Sequence, residues 1–484
     1  MAQHGPLNSG LRNENVRTYI LSILQHAVQL HRLSIDTINE ERAGPLDPRL
    51  IEAFSSLTSI KDLSILSCNT KDTAKLLKSL QSTSLTKVHI CFKREHRLNH
   101  DGPWTDEEDP SIFQALATLT GLKDLTIGTY ASSFIPVLRS LQSPVVKMHL
   151  TFERVPNQVA PMSIIQNFNS SLEQLSLVWY SEHLAPHHGA QFLRMTELDI
   201  TCRGPFLTID TLIYSFPNLR VLHAGPCGLW PLAWERAAGE AQRQTNLASQ
   251  SRRHWESLDH LEGRLEYLYP LGISCKVEHL RLILPELPNV LPDMHNDFMG
   301  NDLAAILSTT RPKRLSVSIR CRWFEIQSYD MALYRAREYL THLSVVVEID
   351  GDAPTDSDAQ EEIIGHVLFL LSSLSRLSHL TLNLIWRAAD PLDFLGIGEP
   401  FQNFRKMNPE ELAAEISGVA PAINHIVLTI SGQIKYVYMY EVVKNDEGER
   451  TLVELLGEAA WKVQRDGFTH WCWKVQRDSF THLW

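Results

Sequence analysis

Histidine recurs at one position of a repeated pattern in the C-terminal half of the chain. The residue just before the central apolar position of successive copies is His279, Arg314, His342, His379 and His425. Imidazole titrates near neutral pH and is a common metal ligand. If the copies stack as parallel strands about 4.8 Å apart, these side chains form a ladder on one face of the sheet. We expect this ladder to be neutral near pH 7 and to titrate below a free histidine, because neighbouring charges repel and Arg314 is already positive.

The ladder suggests a pH-dependent binding face. Acidification would turn a near-neutral stripe into a cationic one, which favours an acidic partner. The plainer alternative is that these histidines are tolerated on a wet polar face. Titration of the individual imidazoles separates the two hypotheses.

Other clusters have the residue types of metal sites, but their context disfavours metal. They are the acidic segment Asp350 to Glu361, the histidines His183, His187 and His188, and the pair His96 and His100. Pro354 and Thr355 stand where a calcium loop needs a glycine and a ligand oxygen, so we expect an acidic solvated loop. Pro186 prevents the helical spacing that would direct two imidazoles at one ion. His96 and His100 could reach one ion, yet the acidic WTDEEDP that follows them indicates a charged excursion. We predict no metal and no cofactor.

No catalytic motif stands out. The sequence has no P-loop, GxSxG, HExxH or CxxC, and local context singles out no serine, histidine and aspartate set. The seven cysteines are odd in number and far apart, which favours reduced thiols. We therefore predict a protein that is not an enzyme and has no catalytic residues.

The elements that position these residues follow from a repeated motif, apolar-x-x-apolar-x-apolar, as in LKDLTI (122–127) and LEQLSL (172–177). The last two apolar residues of each copy are two apart, which is typical of a short strand with one buried face. Thirteen copies begin at Leu30, Ile60, Leu85, Leu122, Val145, Leu172, Met195, Leu219, Val277, Pro312, Leu340, Leu377 and Ile423. A segment with helical spacing precedes most copies, for example 73–80, 112–119 and 302–308.

A unit of helix, turn and short strand cannot bury its own leucine face, so neighbouring units must stack. The pattern resembles that of the leucine-rich repeat superfamily. We predict an α/β fold, a leucine-rich repeat solenoid or horseshoe with a parallel inner sheet and outer helices. The alternative is an ordinary doubly wound α/β domain, but no glycine-rich phosphate loop follows any strand.

Three parts of the chain are expected. Residues 1–10 form an N-terminal tail, 11–442 form the solenoid, and 443–484 form a C-terminal segment. The solenoid carries an insertion at 230–263, predicted to be largely helical and to protrude or brace, because it has too few apolar residues for another unit. The C-terminal segment repeats WKVQRDGFTH (461–470) as WKVQRDSFTH (473–482). This repeat indicates a recent duplication or gene-model artefact, with an exposed aromatic capping or docking segment as the alternative.

Composition excludes some functions. The chain has 484 residues, with 45 Lys plus Arg against 56 Asp plus Glu, a formal charge of −11. A net negative chain is a poor partner for phosphates, so nucleic-acid binding is disfavoured. No apolar run approaches the ~20 residues of a membrane span, and the first residues lack a signal-peptide pattern. We expect a cytoplasmic or nuclear protein without membrane association.

The segment 254–282 resembles a stretch found in leucine-rich repeat proteins of mushroom-forming fungi, many of which carry an N-terminal F-box. The resemblance depends on Trp255, Leu258, Leu261, Gly263, Leu265, Leu268, Tyr269, Leu271, Gly272, Cys275 and Val277. It implies a substrate receptor of a cullin-type ubiquitin ligase, bound to a ligase adaptor through the F-box. This chain departs from that pattern, because only 29 residues precede the first copy and they contain no proline-led F-box opening.

The sequence thus predicts a non-catalytic scaffold that binds a protein partner with its inner sheet face. The contact residues are those flanking the central apolar position, since the pleat turns them away from the core. They are Lys61, Asp62, Lys123, Asp124, Lys147, Glu173, Glu197, Asp199, Arg220, His279, Arg281, Arg314, His342, His379 and His425. The alternatives are a solvated face without a ligand and a regulatory inhibitor that encloses an enzyme, in the manner of ribonuclease inhibitors.

Overall fold

The chain divides into two compact units, Met1–Pro231 and Leu232–Trp484, called here the N-terminal and C-terminal units. The computed structural model describes residues 18–459 except positions 20, 25–28, 37–47, 67–69, 81–84, 92–110, 130–133, 153–160, 180–188, 203–206, 227–235, 284–291, 322–326, 351–356, 388–406, 432–434, 446 and 457–458.

The N-terminal unit contains a parallel sheet whose strands follow chain order. Its described strands are β1 (Arg32–Asp36), β2 (Asp62–Leu66), β3 (Lys87–Cys91), β4 (Asp124–Thr129), β5 (Lys147–Phe152), β6 (Gln174–Trp179), β7 (Glu197–Cys202) and β8 (Val221–Pro226). Its described helices are α1 (Pro48–Ser55), α2 (Thr70–Ser79), α3 (Ser111–Ala117), α4 (Ile135–Ser140), α5 (Pro161–Ile164) and α6 (Ile209–Ser215).

The repeated motif explains why these segments become strands. The central apolar residue and the one two positions later, such as Leu125 and Ile127, are fully buried. The residues between them are partly exposed, so each strand has one core face and one open face. The central residues Leu63, Val88 and Leu125 pair directly across neighbouring strands and form a continuous apolar row.

Main-chain hydrogen bonds fix the register between neighbouring repeats. The carbonyl of Lys61 accepts from the consecutive amides of Thr86 and Lys87, both at 2.9 Å. The carbonyl of Thr86 accepts in the same way from Lys123 and Asp124, at 2.8 and 3.0 Å. The same arrangement recurs through β8 and again between β11 and β14. Each repeat therefore docks on the previous one at the start of its strand.

The C-terminal unit repeats this plan. Its described strands are β9 (Ser257–Arg264), β10 (Lys276–Ile283), β11 (Arg314–Cys321), β12 (His342–Asp350), β13 (His379–Arg387), β14 (His425–Ser431), β15 (Lys435–Lys444) and β16 (Arg450–Glu454). Its described helices are α7 (Arg236–Gln250), α8 (Leu265–Leu271), α9 (Pro292–Thr310), α10 (Gln327–Ala336), α11 (Ser357–Ser372) and α12 (Pro409–Val419). Strands β9 to β14 are parallel and in chain order, so the prediction of an α/β solenoid is confirmed within each unit.

The expectation for the insertion at 230–263 is wrong in part. Its described residues include the helix α7, as predicted, but Ser257–Arg264 forms the strand β9, which pairs with β10. Leu258 and Leu261 of β9 are buried like the apolar residues of the other strands. The segment therefore contributes a further helix and strand to the C-terminal unit.

Buried polar side chains on α7 explain why this repeat has few apolar residues. Arg243, Asn246 and Gln250 lie on one helix face and are all buried. They donate to the main-chain carbonyls of Tyr269, Pro270 and Gly272, at 2.9, 3.0 and 2.7 Å respectively. These carbonyls lie at the C-terminal end of α8, where no further helical turn supplies N–H groups. The inward face of α7 is polar because its neighbour presents carbonyl oxygens.

The sheet of the C-terminal unit ends differently from the prediction, which assigned no structure to 443–456. Strand β15 pairs antiparallel with β14, and β16 pairs antiparallel with β15. Arg450 of β16 donates to the carbonyls of Ala420 and Ile423, at 3.1 and 2.6 Å, and to that of Ser417. These carbonyls lie at and beyond the end of α12, so a cation satisfies the negative end of that helix.

Replacing Asn246 by alanine tests the polar contact between α7 and α8. The change leaves the buried Pro270 carbonyl without its donor, which should lower the free energy of unfolding by about 1–3 kcal/mol. Urea unfolding followed by circular dichroism measures this loss. Gln244→Ala, at an exposed position of the same helix, is the control and should change stability by less than about 0.5 kcal/mol. Equal stability of the two variants would contradict the role given to Asn246.

Candidate binding face

The open face of the sheet in the N-terminal unit carries a row of charged side chains of alternating sign. Strand pairing places Arg32, Asp62, Lys87, Asp124 and Lys147 side by side on β1 to β5. Arg32 Nε lies 3.4 Å from Asp62 Oδ2, and Lys87 Nζ lies 3.2 Å from Asp124 Oδ2. The structure thus brings together three predicted residues. Sequence reasoning omitted Arg32 and Lys87, although they occupy the same position of the motif.

The other predicted residues of this unit fall into two groups. Glu197 and Asp199 lie on the open face of β7, where Ser176 Oγ donates to Asp199 Oδ2 at 2.9 Å. A second set comes one residue before a strand, at the amino-terminal edge of the sheet: Lys61, Lys123, Glu173 and Arg220. These four flank the central position by two residues, so they do not share the row on the open face.

The C-terminal unit carries the predicted ladder in one register. His279, Arg314, His342, His379 and His425 pair in sequence across β10 to β14. The rings of His342 and His379 stack with centres 4.2 Å apart and an angle of 7° between planes. The His379 and His425 rings stack at 4.6 Å and 22°. His260 on β9, which the sequence prediction missed, extends the row beside His279.

Burial keeps much of the ladder neutral. It is the main cause that lowers the pKa of His279 to about 3, followed by the charges of His260 and Arg314. Burial, then His379 and Arg314, lowers the pKa of His342 to about 3. Burial and His425 lower the pKa of His379 to about 4. The predicted neutrality at pH 7 is confirmed for these three groups, but desolvation is a larger cause than the predicted repulsion between charges.

These values change the pH hypothesis. Groups with a pKa of about 3 or 4 stay neutral at pH 5 and above. Mild acidification alone therefore does not make His279, His342 and His379 cationic.

A chain of polar contacts, buried at His260 and His279, crosses three strands and includes the first residue of the ladder. Glu262 Oε1 lies 3.2 Å from Arg281 Nη1, and Glu262 Oε2 lies 3.3 Å from His260 Nε2. His260 Nδ1 lies 3.2 Å from His279 Nδ1, and His279 Nε2 lies 3.1 Å from Ser316 Oγ. A carboxylate can only accept, so His260 Nε2 carries a proton and its Nδ1 accepts from His279 Nδ1–H. Ser316 O–H then donates to His279 Nε2.

This chain has the connectivity of a catalytic relay, from a serine through imidazole to a carboxylate. Its base is poorly suited to that task. A general base works best with a pKa near the operating pH, whereas burial, His260 and Arg314 hold the pKa of His279 at about 3. The contacts orient side chains on β9, β10 and β11.

The stacked imidazoles do not form a chelate for one metal ion. Lone pairs of an imidazole lie in the ring plane, and those of the parallel His342 and His379 rings do not converge on a common point.

The structure describes only some of the other residues that the sequence analysis considered. Asp350 ends β12 and Ser357 begins α11, so the acidic segment 350–361 joins a strand to a helix, and its residues 357–361 are helical where a loop was predicted. His96, His100, His183, His187, His188 and the duplicated segment 461–482 lie outside the described residues.

The lowered histidine pKa values predict loss of stability in acid. Each group binds its proton more weakly in the folded state than in the unfolded state. The free energy of unfolding that depends on the neutral group is therefore complete above pH 6.5 and decreases as pH falls toward 3 to 4. Between pH 7 and pH 5, we expect each of His279, His342 and His379 to cost about 1–2 kcal/mol of unfolding free energy, allowing for partial exposure.

Urea unfolding at pH 7, 6 and 5 measures this slope. His342→Gln removes one titrating group and should flatten it. Ser344→Ala, a neutral change on the same strand face, is the control and should leave the slope unchanged. An unchanged slope in His342→Gln would show that this imidazole has an ordinary pKa.

Comparison with known proteins assigns no family to the chain. No protein-family model matches the sequence, and no match is found among curated proteins. Within the described residues, no helix has the length and apolar character needed to cross a membrane. The open sheet faces of the two units are the candidate binding surfaces of the described residues.

Proposed function

We propose that this protein is a non-catalytic scaffold that binds a protein partner through the open sheet faces of its two units. One observation carries the proposal. In each unit the strands bury one face in an apolar core, and at every repeat the other face presents side chains in register. Such a face is a large surface on regular secondary structure, and repeat proteins use surfaces of this kind for recognition.

The two faces have different chemistry. The N-terminal face carries the row of alternating charges from Arg32 to Lys147, whose ion pairs cancel much of the local charge. The C-terminal face carries neutral imidazoles beside small polar residues such as Ser344 and Asn383. Mixed and neutral polar surfaces suit a protein partner better than a phosphate backbone, which needs clustered cations.

We further propose that the repeats are leucine-rich repeats. The central apolar residues of the N-terminal unit are 23 to 37 residues apart, against a usual period of about 20–29. The resemblance of 254–282 to fungal F-box proteins extends this to a finer proposal, a substrate receptor of a cullin-type ligase. Only that resemblance supports the ligase proposal, so the ligase proposal needs a separate experimental result.

Affinity capture with matched variants tests the scaffold function. Lys147→Glu and Asn383→Arg change the open faces of the two units, while Lys78→Glu and Glu415→Arg make similar changes on the exposed sides of α2 and α12. We expect a stoichiometric partner to be retained by both helix variants and weakened about ten-fold or more by a face variant, because buried interface charges affect affinity strongly.

Other outcomes of the affinity capture distinguish the proposals. A partner lost with the helix variants and retained by both face variants would contradict the proposal. A cullin adaptor among the captured proteins would support the ligase proposal. A single captured enzyme whose activity falls on binding would instead support regulatory inhibition.

A further inference from the structure

Two arginines stand out on the open face of the C-terminal unit. Counted from the ladder row, the first three outward positions of β10 to β14 have two described residues with a permanent charge, Arg281 and Arg314, and both are cationic. Glu262 of the neighbouring strand β9 pairs with Arg281. Around the two arginines on β10 to β12 lie the neutral groups His279, Ser316, His342 and Ser344, and these six residues are called here the arginine patch.

The patch carries two guanidinium charges although the chain as a whole is acidic. Both Arg281 and Arg314 help to lower the pKa of His279, and Arg314 does the same to His342 and His379. One guanidinium nitrogen of Arg281 is paired with Glu262, and its side chain is 31% exposed. A guanidinium has five N–H donors, so Arg281 can hold Glu262 and still bind a second carboxylate.

We propose that the arginine patch binds an acidic segment of the partner protein, one in extended conformation with two carboxylates two residues apart. The proposal rests on the scaffold function and names the chemistry of its ligand. Arginine is suited to this task because its planar fork matches a carboxylate in two parallel hydrogen bonds.

The strand register gives the spacing of the ligand. Arg314 pairs with His279, and Arg281 is two residues further along β10. Neighbouring strands are about 4.8 Å apart and two residues along a strand span about 6.6 Å, so the two arginine Cα atoms are about 8 Å apart. In an extended peptide, side chains at i and i+2 point the same way and are about 7 Å apart. The carboxylates of two adjacent residues in such a peptide would point to opposite sides of its chain.

Fluorescence anisotropy at pH 7 and low salt tests the proposal with the full chain. The probe is a labelled serine- and glycine-rich peptide with glutamates at i and i+2. An isomer with adjacent glutamates, a glutamine version and a phosphoserine version serve for comparison. We expect the i, i+2 peptide to bind several-fold more tightly than its adjacent isomer and the glutamine version not to bind.

Variants locate the site. Arg314→Met and Arg281→Met should each weaken binding about ten-fold or more. Lys313→Met is the control, because Lys313 precedes β11 at the sheet edge and its loss changes the net charge equally. It should weaken binding less than three-fold. Arg281→Lys keeps a charge beside Glu262, so it separates loss of binding from loss of folding. Circular dichroism checks that both Arg281 variants are folded.

Several results would overturn the proposal. They are no binding of the i, i+2 peptide at millimolar concentration, an equal loss in Lys313→Met, equal affinity for the adjacent isomer, or tighter binding of the phosphoserine peptide. If peptide binding fails while a captured partner still depends on Lys147 or Asn383, the scaffold function stands and only the acidic ligand is wrong.

Discussion

The register of neighbouring strands is the constraint on which the rest of the structure depends. At the start of each strand, one carbonyl of the previous repeat accepts two consecutive amides, as the Lys61 carbonyl does from Thr86 and Lys87. Side chains alternate with a period of two, so a slip by one residue would exchange the core and open faces. The buried row of Leu63, Val88 and Leu125 penalises such a slip. The same register aligns the charged row and the imidazole ladder.

The sequence pattern predicted β1 to β8 and β10 to β14 because their buried residues are aliphatic and spaced by two. It failed at β9, since the preceding helix α7 buries Arg243, Asn246 and Gln250, and hydrophobic periodicity cannot detect a polar inward face. It also missed β15 and β16, which pair antiparallel and lie outside the motif. His260 was missed with its strand. Contacts such as His260 with His279 depend on rotamers and on residues from different strands, so spacing alone could not predict them.

The two open faces reach low net charge by different physical routes. In the N-terminal unit, opposite charges on neighbouring strands pair at the surface, where each ion pair contributes little to stability. In the C-terminal unit, close packing of imidazoles removes water, and desolvation lowers the pKa of His279, His342 and His379.

Desolvation also decides how the C-terminal unit responds to acid. At pH 5, an imidazole with a pKa of about 3 is protonated in about one molecule in a hundred, whereas the same residue in the unfolded chain is almost fully protonated. Acid therefore favours unfolding before it charges His279 or His342 in the folded state. A positive charge on this face that is needed at neutral pH must come from a group that does not titrate there. Arg281 and Arg314 supply that charge, because the imidazoles of His279, His342 and His379 around them stay neutral.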